Sequence, residues 1–193
     1  MTHQTGTTVR HRAHVLRRTV VLVGMMGSGK TAIGRALSQG LGVPYVDSDA
    51  EIEAAANATI AEIFEKSGEA FFRDREAEIV ARLLQSEPCI LSTGGGAYLA
   101  PRNRAVISEH GVAVWLDAEL DLLWERVRHK DTRPLLRTAD PRATLAEIFA
   151  ARAPIYALAD LRAVANPAFS IEQMTDEVLR VLATRPDILE PSQ

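Results

Sequence analysis

The chain has 193 residues, the length of one domain of moderate size with at most small appendages. Its 22 basic and 25 acidic side chains give a formal charge of −3, which excludes the basic footprint of bulk nucleic-acid binding. Hydrophobic residues make up 47%, too many for a disordered chain; the one cysteine, Cys89, has no disulfide partner, no Cys/His cluster has zinc spacing, and no apolar run approaches the ~18 residues of a membrane span.

Residues 1–18 hold Arg10, Arg12, Arg17 and Arg18, together with His3, His11 and His14, and no acid. The rest of the chain is therefore more acidic than the whole. The segment lacks the apolar stretch of a secretory signal. It bears a faint likeness to an organelle transit peptide, but the plainer expectation is a flexible, solvated basic arm on a cytoplasmic protein.

From residue 19 onward, apolar runs alternate with helical stretches. The runs are Thr19–Val23, Pro44–Val46, Cys89–Ser92, Val112–Leu116 and a weaker Leu161–Ala165. Short runs rich in β-branched residues, without in/out alternation, predict strands buried on both faces. With crossover helices between them they predict an α/β domain over 19–184, a parallel sheet with helices on both sides. Thr59–Glu62, Thr144–Glu147 and Ser170–Gln173 each place a hydroxyl at an N-cap and Glu or Gln three residues on. Ile171, Met174, Val178, Val181 and Leu182 give the last helix an apolar face. Phe64, Trp115 and Met174 are assigned to packing. Residues 185–193, with Pro186 and Pro191, predict a fraying tail.

The strongest signal is GMMGSGKT, Gly24 to Thr31, directly after the first run and opening a helix. It has the G-x-x-x-x-G-K-[ST] pattern of a phosphate-binding loop. Glycines let consecutive N–H groups point inward at phosphate oxygens, and the helix N-terminus adds positive character. Lys30 supplies a cation for the terminal phosphates, and the Thr31 hydroxyl can ligate Mg²⁺. By chance, a chain of this length matches the pattern roughly once in a hundred. No guanine-reading NKxD element is present, and the chain is short for a motor domain. A small phosphoryl-transfer enzyme is the expectation.

The acceptor side follows. Asp47 and Asp49 leave the second strand, where open α/β folds bind ligands. Either Asp49 accepts a hydrogen bond from an attacking hydroxyl, or it simply caps the next helix. Arg73 lies among Glu69, Asp74, Arg75 and Glu76, the composition of a charged helix surface. Gly94, Gly95 and Gly96 follow the third strand and suit close approach of backbone to a small ligand, or a plain flexible turn. KDTRPLLR reads as a polar flap that can bring Arg133 over the phosphates, or as an ordinary exposed loop. ARAPIY places Arg152 on the helix after it.

In this order and spacing GMMGSGKT, DSD, IFEKSGEAFFRDRE, GGGA, RPLL and RAPIY resemble shikimate kinase, over about Val20 to Asn166. The resemblance implies a three-layer P-loop NTPase fold like that of nucleoside-monophosphate kinases. Its five-stranded parallel sheet has the order 2-3-1-4-5, with a substrate-binding region over about 49–80 and a mobile lid over about 126–140. It implies a monomer that uses ATP and Mg²⁺ to phosphorylate the 3-hydroxyl of shikimate, on the way to chorismate and the aromatic amino acids, without nucleic-acid or membrane partners.

Residue by residue, the resemblance gives Gly27, Ser28, Gly29, Lys30 and Thr31 to the ATP phosphates. Thr31 ligates Mg²⁺ and Asp47 reaches it through water. Asp49, Arg73, Arg152 and Gly95, flanked by Gly94 and Gly96, bind shikimate. Arg133 is the lid arginine and acts in catalysis with Lys30 and Asp49. Arg126 stacks on adenine, with Arg128 a neighbour of similar reach. VANPAF departs from members with a second adenine-binding arginine there, leaving the backbone around Asn166 and Pro167 to replace it. Two other readings stay open: a kinase for gluconate or a nucleoside monophosphate, and a regulatory nucleotide-binding relative without catalysis. The set Asp49, Arg73 and Arg152 argues against the first. Lys30, Asp49, Arg133 and Arg152 together argue against the second.

Overall fold

The computed structural model describes residues 14–129 and 134–191. After a short strand β1 (His14–Leu16), every residue of β2 (Thr19–Val23) is buried, as a Val/Leu-rich run without alternation requires. The chain then runs through α1 (Lys30–Leu41), β3 (Tyr45–Asp47), α2 (Ser48–Ala56), α3 (Ile60–Leu84), β4 (Ile90–Ser92), α4 (Pro101–His110) and β5 (Gly111–Asp117). It continues through α5 (Leu120–Val127), α6 (Pro141–Tyr156), β6 (Leu161–Val164), α7 (Ile171–Leu182) and β7 (Leu189–Pro191).

Strands β2 to β6 form a five-stranded sheet in the order β3-β4-β2-β5-β6, with every pairing parallel. Counted from Thr19, this is the expected order 2-3-1-4-5. In the centre of the sheet Val21 lies opposite both Leu91 and Ala113. Between the strands, α1 packs beside α7 and α3 beside α4. The main core gathers on both sides of β2 and β5, with Val20, Leu37, Ile107, Leu123 and Leu182 all buried. A second, smaller cluster of Ile52, Ile63, Phe72 and Ile79 joins α2 to α3. Phe64 packs there, its ring centroid 4.7 Å from that of Phe72.

Local chemistry explains most of the boundaries, and in places it differs from expectation. The boxes at Thr59–Glu62 and Ser170–Gln173 form and start α3 and α7. The box at Thr144 does not form. Helix α6 begins a turn earlier, because Pro141 occupies its first position and Asp140 Oδ1 accepts from the Ala143 N–H at 3.0 Å. Thr144 is then inside the helix, its hydroxyl donating to the Asp140 carbonyl at 3.0 Å. Helix α3 is broken at Gly68, whose φ of 80° is left-handed. The second strand of the sheet runs one residue later than expected, to Asp47.

The expected arm over 1–18 and tail over 185–193 pair with each other where they are described. β1 and β7 are antiparallel, with Leu16 opposite Leu189. Ile188 and Leu189 are buried, and Arg17 Nε donates to Glu190 Oε2 at 2.7 Å. The apolar residues Leu16, Ile188 and Leu189 gain more from burial than a solvated tail would give them. No described helix is long and apolar enough to cross a membrane.

Candidate active site

Three strand ends meet at one edge of the sheet, and each delivers a different chemical group. β2 runs into loop 24–29, in which Gly27 and Gly29 adopt φ of 81° and 101°. Only glycine holds that backbone without strain. Helix α1 starts at Lys30 with Gly29 at its N-cap and no side-chain cap, so its first N–H groups remain open to an anion. Lys30 Nζ arches over the loop and donates to the carbonyls of Gly24 at 2.8 Å and Met25 at 3.1 Å. Among the described residues, Ser28 Oγ in this loop is the one buried side-chain polar atom without a hydrogen-bond partner. Buried hydroxyls are normally paired, so its isolation fits a loop built around a ligand. From α5, Arg126 donates to the carbonyls of Gly27 at 3.2 Å and Ser28 at 3.4 Å.

β3 delivers the two aspartates. Asp47 Oδ1 accepts from the backbone N–H of Asp49 at 3.0 Å and caps α2. The cap is thus Asp47 and not Asp49, so the capping alternative for Asp49 falls away. Relieved of capping, Asp49 turns to the cavity from the first turn of α2. Its carboxyl is pushed up to about 6, first by burial and then by the Asp47 and Glu76 carboxylates, with Lys30 opposing.

Arg73 projects from the second stretch of α3, past Gly68. Its Nη1 lies 2.8 Å from Glu76 Oε2, and Glu76 is only 1% exposed. Burial pushes the Glu76 carboxyl up and the Arg73 guanidinium opposes the shift. A carboxylate so far from water is sustained by such a partner, and removing one member of a buried pair costs about 3–5 kcal/mol. Composition hid this: Glu76 stands in a run of mixed charges, and only its i, i+3 spacing from Arg73 hinted at a pair.

β4 delivers Gly94, Gly95 and Gly96, and each glycine backs onto one functional side chain. A Cβ on Gly94 would lie 2.6 Å from Asp49 Oδ1. One on Gly95 would lie 3.3 Å from Arg152 Nη1, and one on Gly96 would lie 2.7 Å from both terminal nitrogens of Arg73. The run is therefore a floor without side chains, against which the carboxylate and the two guanidinium groups rest. Ser48, fully buried, accepts from the Gly94 N–H at 3.4 Å and ties α2 to this floor.

The groups share one cavity of about 700 Å³. Gly27, Ser28, Gly29, Lys30, Thr31 and Arg126 border one end. Asp47 and Asp49 line the same cavity, as do Gly94, Gly95 and Gly96 with Arg73 and Arg152. Arg133 lies outside the described residues; Leu135 reaches the cavity from just beyond it. The sequence did not reveal an apolar wall of Phe169, Ile171 and Met174. Met174, assigned to packing, is indeed buried but also borders the cavity. The Ser170 box located the start of α7, but only the return of β6 beside β5 brings that helix end to the loop.

Comparisons with known proteins point to one family. The shikimate kinase family model matches residues 26–183. Shikimate kinase of Ruegeria pomeroyi is 64% identical over 190 residues, 98% of this chain and 97% of that one. The enzyme of Cereibacter sphaeroides is 60% identical over 178 residues, 92% and 89% of the two chains. Among solved structures, shikimate kinase from Acinetobacter baumannii in complex with shikimate superposes with a TM-score of 0.80 at 34% identity, covering 86% of this chain and 93% of that one. With a matched model across most of its length, near-full-length relatives and a shared fold, the chain belongs to the shikimate kinase family.

Proposed function

We propose that the cavity is a two-substrate site in which the γ-phosphoryl group of ATP passes to the 3-hydroxyl of shikimate, giving shikimate 3-phosphate. The observation that carries this reading is the convergence of Asp49, Arg73 and Arg152 on the triglycine floor, in the same cavity as the phosphate loop. Shikimate is a compact ring with one carboxylate and three hydroxyls. Arg73 and Arg152 offer two guanidinium forks for the carboxylate. Gly95 offers a backbone donor with no side chain in the way. Asp49, ionised above about pH 6, accepts from a ring hydroxyl, orients it and takes its proton as the bond to phosphorus forms.

At the other end, the N–H groups of Gly27, Ser28 and Gly29 and the Lys30 ammonium hold the phosphates. Arg126 and the apolar residues Phe169, Ile171 and Met174 line the same cavity and offer adenine a cation and an apolar surface. The family resemblance gives Arg133 the part of a further guanidinium that stabilises developing charge on the phosphates. The Thr31 hydroxyl and the Asp47 carboxylate are hard oxygen donors beside the loop, and they fit Mg²⁺, which takes only one or two protein oxygens when phosphates supply others. Held there by Thr31 and Asp47, the ion would supply positive charge that offsets the charge of the phosphates. Among the described residues, no group of three or more His, Cys, Asp or Glu offers another metal site. The reading includes action as a monomer, and a buried lone cysteine suits the cytoplasm.

The test is ADP release in a coupled assay with Mg²⁺. ADP appears in proportion to added shikimate, and gluconate or AMP does not replace it. Turnover on gluconate or AMP with none on shikimate overturns the reading.

A further inference from the structure

We infer that Tyr156 is a positioning residue for the acceptor, fastening the triglycine backbone to the Arg152 side chain through one buried hydroxyl. The inference rests on the acceptor assignment above and adds a residue to it. Tyr156 ends α6, one turn beyond Arg152, and is 1% exposed. Its hydroxyl donates to the Gly95 carbonyl at 2.5 Å. A tyrosine hydroxyl has one proton to give, so toward Arg152 it can act only as acceptor; a Cβ on Gly95 would lie 3.3 Å from Arg152 Nη1 and 3.6 Å from the Tyr156 oxygen, so guanidinium and hydroxyl sit side by side against Gly95. The same oxygen thus fixes two partners that the substrate carboxylate and ring meet together.

Gly95 needs such a strut. Three consecutive glycines have little conformational preference of their own, so the loop's path is set by what holds it. Gly94 is tied at its N–H by Ser48, and Gly96 rests on Arg73. Gly95 is tied at its carbonyl by Tyr156. A reciprocal tie lies alongside: Tyr98, just after the loop, donates from its hydroxyl to the Leu158 carbonyl just after α6 at 3.1 Å. Loop and helix end are thereby locked in register. Of the two tyrosines, only Tyr156 bonds Gly95 and lies beside Arg152 there.

The experiment compares Tyr156→Phe with wild type for shikimate and for its analogue with a carboxamide in place of the carboxylate, alongside Tm. The expected result is a rise of about tenfold in KM for shikimate, with KM for ATP unchanged and Tm only a few degrees lower. The preference in kcat/KM for shikimate over the carboxamide falls by about tenfold, because the grip of Arg152 on a carboxylate is what loosens. A purely structural hydroxyl slows both acceptors equally, and an unchanged preference overturns the inference. Should Tyr156→Phe not fold, 3,5-difluorotyrosine at 156 keeps the bond to Gly95 but is a poorer acceptor for Arg152. It lowers the preference by about threefold, and no change there also overturns the inference. Wild-type turnover separates the two levels. Its absence on shikimate overturns the acceptor assignment and this inference with it, whereas normal wild-type turnover with unchanged preference in the variant overturns the inference alone.

Discussion

Gly96 and the guanidinium of Arg73 are packed so closely that one added methyl group has no place between them. The clash, at 2.7 Å, is with the far end of a flexible side chain, so the fold can absorb it while the guanidinium moves. Gly96→Ala therefore raises KM for shikimate by about tenfold or more, while Tm drops by only a few degrees and KM for ATP stays put. An unchanged KM for shikimate removes Arg73 from the carboxylate grip.

On the proposed reading, Asp49 holds function at the expense of stability. Its carboxyl is raised from 3.8 to about 6, chiefly by burial. A carboxyl whose folded pKa is raised binds its proton more tightly folded than unfolded, so stability falls as pH rises from about 4 through about 6. Asp49→Asn removes that cost. At about pH 7.5 the ligand-free variant is more stable by about 1 to 2 kcal/mol, or about 5 °C in Tm, and the gain disappears near pH 4. Turnover of the same variant is nearly abolished. In the wild type, kcat/KM for shikimate falls as pH drops through about 6, where the base becomes protonated. Scanning calorimetry and initial rates across this pH range check both.

Lys30 spans the phosphate loop through the carbonyls of Gly24 and Met25, and its charge is the one cation within the loop motif itself. Lys30→Ala lowers kcat by about a thousandfold or more with an unchanged circular dichroism spectrum, as loss of a transition-state charge partner requires. Activity within tenfold of wild type contradicts its assigned role.

The β1–β7 pair lies away from the cavity and contributes packing alone. Deleting residues 1–16 exposes Ile188 and Leu189 and removes the buried Leu16. Tm falls by about 5 °C, while kcat and both KM values at 25 °C stay within about twofold. A large loss of kcat shows that the N-terminal segment does more than pack.

Much of this was legible because it is local. TVVLV reads as a buried strand from five residues, and GMMGSGKT carries its own backbone requirement in its glycines. The strand order and the proposed acceptor residues came from the ordered motifs and their family resemblance. What the sequence concealed depends on partners far along the chain. Glu76 reads as a surface charge until Arg73 is turned inward, and Tyr156 reads as core until Gly95 lies against it. Thr144 satisfied the capping-box pattern, but Asp140 and Pro141 started the helix first. The pairing of β1 with β7 joins residues 173 apart, a separation at which no local signal operates.

The central claim is that the phosphate loop and the acceptor groups hold one hydroxyl of shikimate in line with the terminal phosphorus of ATP. Phosphorus–proton correlation NMR of the product reads this directly. The account predicts a single phosphorylated species carrying its phosphate on the 3-hydroxyl, formed in equal amount with ADP. Phosphate on either other hydroxyl, or ADP with free inorganic phosphate and unmodified shikimate, contradicts it.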